Sequence, residues 1–392
     1  MLSGQNIVCF SPDPSWHHLW RNRHQIMTRL ARQNKILFVE PTPYLRPVLQ
    51  AVRETGPRAL FKSTFHQPMP NLWVYRSANA WPIAGKTPIR QLGFTLRRWQ
   101  LRRILARLHM QNPILWVFRY DLGEMIGHLH EKLVIYHAVD DYAAYVLDDT
   151  PQAEQHRQRI RALERHLLTQ ADVAFVSSAT LLSEKQRYNE NTFYVPNAAD
   201  YHTFAAPPRQ LPADIAAIPG PRISYVGAIN EKLDVALLTA VARVRPDWHV
   251  VLVGPVQFKR AHALDALQAL PNVHLLGAKP VSQLPAYMHA SHVCLMPYAH
   301  NDWARNISPL KLYEYLATGR PVVATDIPAV QHLGNVLAIA DNETTFIQAI
   351  QRALTEDTPA ARAQRQALAS QNTWEHRVDT LSSIISGFLG CA

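Results

Sequence analysis

The sequence predicts an α/β fold built from two doubly wound, Rossmann-like halves. Three observations carry this. Short apolar strands alternate with helical segments from residue 6 onward, the pattern of parallel βαβ units. At 392 residues the chain is too long for one ordinary core and suits two domains of roughly 150 to 200 residues. Pro207, Pro208, Pro212, Pro219 and Pro221 interrupt the alternation, which then restarts. The expected domains are residues 1–205 and 206–372, with a closing helical segment, 373–392, packing back toward the first.

In the first half, residues 6–10 read as a strand, 11–18 as a loop, about 19–32 as a helix and 35–39 as a second strand. A βαβ unit of this kind puts its ligand loops at the C-terminal ends of the strands. The loop after the first strand carries Asp13, Trp16, His17 and His18, and no glycine-rich dinucleotide fingerprint follows it. Residues 41–70 are punctuated by proline and give no clear pattern, and Leu72 to Tyr75 reads as a strand. From Pro88 to His109 a helical stretch mixes Arg97, Arg98, Arg102 and Arg103 with Trp99 and aliphatic residues, without one clean apolar stripe. Strands follow at 114–118 and 133–136, the second running into His137, Asp140 and Asp141. A helix near 153–170, a strand at 173–177, a helix at 179–187 and a strand at 193–195 complete this half.

In the second half, strands at 223–227, 249–253 and 273–276 each close on glycine: Gly227, Gly254 and Gly277. Glycine at a strand end lets backbone N–H groups approach a ligand closely, which suits a phosphate cradle. Helices are expected at 232–244, 259–270 and 282–289, strands at 292–296 and 336–339, and three closing helices, the last opening near Thr373.

Residues 305–325 form the stretch around which this half is organised. They read as a loop, a helix with Ser308 as N-cap and Pro309 as its first residue, a stop at Gly319 and a strand. The N-terminus of such a helix attracts anions, and Lys311 adds a full positive charge in its first turn. Glu314 lies one turn on and offers two acceptors to a diol. An amphipathic helix with a solvated Lys311/Glu314 pair is the plainer alternative.

Charge is uneven. Residues 1–120 hold 18 Lys/Arg against 3 Asp/Glu, a net of +15, while residues 201–392 hold 15 against 14. So basic a segment meets an acidic partner: nucleic acid, an anionic membrane or a phosphorylated substrate. No helix-turn-helix, zinc-finger or RNP-like signature accompanies the charge, so nucleic acid is not expected. Cys9, Cys294 and Cys391 have neither metal-ligand spacing nor the look of a disulfide framework, which suits a reducing compartment. No stretch approaches the length of a membrane span, so the chain is expected to be soluble or peripheral.

The constellation resembles the GT-B fold of nucleotide-sugar-dependent glycosyltransferases of the bacterial polysaccharide and cell-envelope type. Four places carry the resemblance: Tyr225-Val226-Gly227-Ala228-Ile229, the loop from Gly277 to Val281, Ser308 to Tyr315, and Val176-Ser177-Ser178 with Pro196-Asn197. It implies two Rossmann-like domains facing a cleft, with an acceptor in the first and a nucleotide-sugar donor, most readily a UDP-sugar, in the second. By the resemblance Lys311, with the N–H groups after Ser308, Pro309 and Leu310, holds the donor diphosphate. Glu314 takes the ribose hydroxyls, Val281 or a neighbour the base, and Lys232 beyond Gly227 a second phosphate. Asn306 stands where retaining members carry the first of two glutamates, so inversion and retention both stay open.

Tyr136-His137-Ala138-Val139-Asp140 is also similar to the Tyr-Arg-Ala-Ser-Asp stretch of the inverting glucuronosyltransferase of xanthan assembly, in which the aspartate is the general base. Carried over, Asp140 deprotonates the acceptor. Asp141 is an alternative base, either carboxylate can instead cap the next helix, and His137 can act as base, orient a phosphate or be structural. The resemblance implies no cofactor and no metal site. A glycan or polyprenyl diphosphate acceptor would give the basic first half a purpose, with Trp81, Arg97, Arg98, Trp99, Arg102 and Arg103 on the inner face of the plasma membrane and Asp13, Trp16, His17 and His18 near the acceptor. A nucleotide-sugar epimerase of the same fold and a non-catalytic sugar-nucleotide or membrane-binding scaffold are the competing functions. Oligomeric state stays open.

Overall fold

The computed structural model describes residues 1–13, 15–17, 20–41, 53, 54, 56, 63–78, 87–258 and 262–390, with the backbone alone for 87–90. The chain divides into two compact units, Met1–Pro196 with Val378–Ala392, and Asn197–Arg377. The division falls after Pro196, before the proline-rich stretch, and not after residue 205.

The first unit is an eight-stranded sheet: β1 (Asn6–Phe10), β2 (Lys35–Glu40), β3 (Thr64–Met69), β4 (Leu72–Arg76), β5 (Ile114–Val117), β6 (Leu133–Ala138), β7 (Val173–Val176) and β8 (Thr192–Tyr194). Their order is β3-β4-β2-β1-β5-β6-β7-β8, and only β3 runs antiparallel to its neighbour. β5, β6 and β7 are buried along their whole length, as strands covered on both faces must be, which explains their unbroken apolar runs. β3 was not legible in the sequence. It is an edge strand, largely exposed, polar and interrupted by Pro68, so it has little apolar alternation to read. It returns into β4 through Asn71 at φ 62°, a conformation asparagine tolerates. Helices α1 (Asn22–Leu30), α2 (Thr87–Arg107), α3 (Pro151–Gln170) and α4 (Ala179–Lys185) accompany this sheet. The strand order reverses at β1, between β2 and β5, so the loop after β1 lies at a topological switch point.

The second unit holds six parallel strands: β9 (Arg222–Val226), β10 (His249–Val253), β11 (Val273–Gly277), β12 (Val293–Met296), β13 (Val322–Thr325) and β14 (Ala338–Ala340), in the order β11-β10-β9-β12-β13-β14. Its main helices are α5 (Val235–Val244), α6 (Leu284–Ala290), α7 (Leu310–Thr318), α8 (Glu343–Thr355) and α9 (Pro359–Gln371). A last helix, α10 (Trp374–Gly390), passes into the first unit's residues at Val378. The switch point here lies between β9 and β12. The loops that leave these two strands carry Gly227 and lead to Lys311.

Two expected elements differ. The helix expected over 259–270 is reduced, among the described residues, to Asp265–Gln268, because His262 at φ 65° cannot continue a helix. α7 starts at Leu310 with Pro309 in extended conformation at the N-cap, one residue later than expected, and no side chain caps it. Ser308 is not the cap. Its Oγ accepts from the Asn197 N–H (3.2 Å) and its carbonyl from Asn197 Nδ2 (2.6 Å), which turns it away from the helix.

Candidate functional site

Gly227, at the C-terminal end of β9, has φ +152°, and a β-carbon there would lie 2.6 Å from both Cε and Nζ of Lys311. The space that glycine leaves is occupied by the lysine's ammonium. Lys311 Nζ donates to the hydroxyls of Tyr225 (3.1 Å) and Tyr298 (3.2 Å) and sits 4.6 Å from the centre of the Tyr225 ring. Both tyrosines are buried. Among the described residues Lys311 forms no ion pair within 4.0 Å, so its ammonium is held directly by neutral oxygens and a ring face. Gly254 supports the turn, since a β-carbon there would overlap the Gly227 carbonyl. The loop from 227 to 234 is stitched to the strand-end loop after β12 by Asp234 N–H to Pro297 O and Ala299 N–H to Lys232 O, both 2.8 Å.

Glu314, one turn along α7, is half-buried, and its carboxylate accepts no hydrogen bond from the described residues. Burial pushes its pKa up to about 7; Lys311 opposes this and Asp200 adds to it. An acceptor-only group in such a place is stabilised by hydroxyl donors. Lys311 and Glu314 are therefore not the solvated surface pair of the plainer reading.

The remaining expected donor residues fare unequally. Lys232 Nζ lies 4.6 Å from the centre of the Trp303 ring. Val281 opens a short 3-10 turn after β11 and is 40 % exposed. Asn306 is buried and donates to the Asp302 carbonyl (3.4 Å), so its side chain is turned into the fold and not presented at the surface. Pro309 is buried, and Leu310 is half-buried in the first turn of α7.

In the first unit the end of β6 separates its three candidates. His137 is 2 % exposed, stacked on Phe118 (4.9 Å) and Trp116 (6.1 Å), and its Nδ1 accepts from Trp116 Nε1 (3.3 Å). Burial, then the Arg23 charge, lowers its pKa to about 3, so the ring is neutral and part of the core. The base and phosphate roles left open for it are thereby corrected to a structural one. Asp141 is an N-cap, accepting from the Ala143 N–H (3.0 Å). Asp140 is half-buried and receives the Tyr145 O–H at Oδ2 (2.5 Å), a bond that orients the carboxylate while leaving Oδ1 for another donor.

The loop after β1 departs from expectation. Asp13 is buried and bonded through both oxygens to Arg23, with Arg21 3.4 Å away. Burial opposes the Asp13 charge, but the Arg23 hydrogen bond and charge more than offset it, so its pKa lies below the ordinary value. Trp16 is also buried, edge-on to Phe38 (5.0 Å), with its backbone N–H donating to Glu40 Oε1 (2.5 Å). These two residues build the floor of the loop and are not exposed acceptor contacts. His17 is exposed and stacks on His66 (5.8 Å). His18 lies outside the described residues.

The basic helix also sorts itself by periodicity. Phe94, Arg97, Leu101 and Leu105 form the buried stripe of α2, and Leu92, Trp99, Arg102 and Arg103 are exposed. Arg97, at 8 % exposure, is no surface residue; burial, then the Arg119 charge, lowers its pKa to about 10. Arg98 is half-buried and donates to the Glu124 carbonyl. Trp99 is 53 % exposed with Arg103 stacked 4.4 Å from its ring centre, and Arg102 donates to the His128 carbonyl (2.9 Å). Trp81 lies outside the described residues. Among those residues no helix is long and apolar enough to cross a membrane, and no group of three or more His, Cys, Asp or Glu could hold a metal ion.

Tyr298, Arg23 and Tyr145 were not singled out from the sequence, and Tyr225 was quoted only as part of the stretch through Gly227. Tyr225 lies two residues before Gly227, but nothing in the spacing brings Tyr298 to Lys311; Tyr145 reaches Asp140 through the local 3-10 turn Tyr142–Tyr145.

These two sheets, with their switch-point loops, have the GT-B fold. Solved structures agree over nearly the whole chain. The sucrose-phosphate synthase of Thermosynechococcus elongatus superposes with a TM-score of 0.70 at 17% identity, covering 99% of this chain and 100% of that one. The UDP-forming α,α-trehalose-phosphate synthase of Burkholderia xenovorans, in complex with glucose-6-phosphate, does so with a TM-score of 0.69 at 13% identity, covering 96% and 99%. At these identities the likeness is one of fold. The chain has the GT-B fold, and its residues 220–356 match the family described as Glycosyl transferases group 1. Among curated proteins it is similar to a putative teichuronic acid biosynthesis glycosyltransferase, TuaH, of Bacillus subtilis (strain 168), 29% identical over 233 residues. That match covers 56% of this chain and 58% of the relative.

Proposed function

We propose that this protein is a glycosyltransferase that moves a sugar from a nucleotide diphosphate donor, a UDP-sugar, to a glycan or polyprenyl-diphosphate-linked acceptor in envelope or exopolysaccharide synthesis. The observation that carries the reading is the Lys311 ammonium lying over Gly227, with the Glu314 carboxylate one turn away. A diphosphate would meet Lys311 and the first N–H groups of α7, and a ribose diol would supply the donors that Glu314 lacks. The UDP-forming relative in fold supports the base, and the teichuronic acid relative supports the envelope context.

In this reading the second unit binds the donor and the first the acceptor. Asp140, oriented by Tyr145, takes the proton of the acceptor hydroxyl as it attacks the anomeric carbon. Lys311 and the α7 N-terminus stabilise the departing nucleotide diphosphate, so no metal is required. The exposed side of α2, with Trp99, Arg102 and Arg103, would recruit the protein to an anionic cytoplasmic membrane surface. Incubation with UDP-, GDP- and dTDP-sugars tests the core of this. A UDP-sugar should bind and lose its sugar, and failure of the whole panel, with Lys311→Ala changing nothing, would reject it.

A further inference from the structure

At the N-terminal edge of the second sheet, at the opposite end of β9 from Gly227, lies a cavity of about 240 Å³ lined by Arg222, His292, Arg320 and Arg362, with Pro207 and Leu211 on its apolar side. Arg222 opens β9, His292 precedes β12, Arg320 follows the end of α7, and Arg362 stands in the first turn of α9. No carboxylate lines the cavity. Asp357, whose field reaches Arg320, is already bonded to Arg365 (2.5 Å).

Part of this charge has a structural use. Arg222 Nε donates to the Ala290 carbonyl (2.9 Å) and its Nη1 to the Ile218 carbonyl (2.8 Å), while Arg320 Nη2 donates to the His289 carbonyl (2.6 Å). The remainder has none. Arg320 Nε is buried without an acceptor, and Arg362 makes no ion pair among the described residues. His292 Nδ1 accepts from the Arg222 N–H (3.0 Å), which places the ring proton on Nε2 and makes the imidazole a further donor. Burial is the main cause that lowers the pKa of His292 and of Arg320; Arg222 and Arg320 add to it at His292, and at Arg320 the Arg362 and Arg222 charges add to it against Cys294 and Asp357. Cations crowded in this way lack a counter-charge.

We propose that this cavity is a second anion site, built for a small phosphate-bearing ligand and separate from the donor helix. Guanidinium forks match phosphate oxygens, and the volume is below the range of drug-sized pockets, about 300 to 1,000 Å³. A five-residue strand separates its two ends by about 16 Å, so the cavity and the Gly227 loop are distinct. They share one element, because α7 begins beside Lys311 and ends at Gly319 before Arg320.

The test is calorimetric titration of the full chain with inorganic pyrophosphate, and separately orthophosphate, at an ionic strength fixed with chloride. Binding should persist in Lys311→Ala and weaken at least tenfold in Arg320→Gln and in Arg362→Gln. Arg362 is exposed, so its replacement keeps the test decisive if Arg320→Gln fails to fold. A parallel arm sediments the protein with phosphatidic acid vesicles. If soluble anions fail but vesicle binding is lost in the arginine variants, the site is assigned to a lipid phosphate. Binding abolished by Lys311→Ala and untouched by the arginine variants, or no binding of either kind above chloride, overturns the proposal.

Discussion

The Lys311 ammonium lies where a side chain on residue 227 would stand, 2.6 Å from the β-carbon position of Gly227. Glycine and lysine are thus one device, divided between the end of β9 and the first turn of α7. Gly227→Ala should displace the lysine and place alanine at φ +152°, a strain of about 1 to 3 kcal/mol. Nucleoside diphosphate affinity should fall at least tenfold, as in Lys311→Ala. Calorimetry on both variants checks this, and unchanged affinity in Gly227→Ala would show that the ammonium's place is unimportant.

Glu314 has a folded pKa near 7, raised chiefly by burial. A carboxyl raised in the folded state favours folding while protonated, and that contribution is lost as pH rises from the ordinary value through about 7. Glu314→Gln should therefore be more stable than the parent above pH 7 and no more stable near pH 4, measured by urea unfolding. If the ionised form receives a ribose, UDP binding in the parent should weaken below pH 7 relative to Glu314→Gln, which lacks the titrating group.

Asp140 and Asp141 are adjacent, yet only Asp141 is spent on a cap. Asp140→Asn should lower turnover by about 10²- to 10⁴-fold with donor affinity unchanged. Asp141→Asn, which can still cap, should retain most activity. Equal losses in both would remove the distinction drawn from Tyr145.

Glu164, buried in the first unit, accepts from Lys185 Nζ (2.7 Å) and Tyr136 O–H (2.6 Å). Glu164→Gln would leave the lysine only the more exposed Glu184 carboxylate, 3.5 Å away, and should cost about 1 to 3 kcal/mol. Chemical denaturation reads this directly, and a loss under about 1 kcal/mol would mean that water reaches Lys185.

Membrane recruitment, if it uses α2, divides that helix by face. Replacing Arg102 and Arg103 with glutamine should weaken sedimentation with anionic vesicles in a salt-sensitive way. Arg97→Gln should not, because that side chain is buried; its effect belongs to stability. Equal loss from both replacements would argue against the exposed face as the docking surface.

Much of the fold was legible because parallel strands buried on both faces are continuous apolar runs, and because glycine, proline and capping residues mark where they stop. Gly227, Lys311 and Glu314 could be picked out for the same reason: a glycine at a strand end and two polar residues one turn apart at a helix start are local features. β3 escaped notice because an exposed edge strand carries little pattern. Arg97, Asp13, Trp16 and His137 were read as surface or reactive groups because composition gives charge and chemistry but not direction. The sequence alone determined the two α/β units and the positive helix N-terminus in the second. Only the tertiary structure decided that Tyr225 and Tyr298 hold the Lys311 ammonium over Gly227, that His137 is sealed in an aromatic core, and that Asp140 is oriented by Tyr145. The first two depend on which strands become neighbours, and strand order is set by long-range packing that no local spacing records; the third depends on the 3-10 turn Tyr142–Tyr145, which carries Tyr145 back onto Asp140.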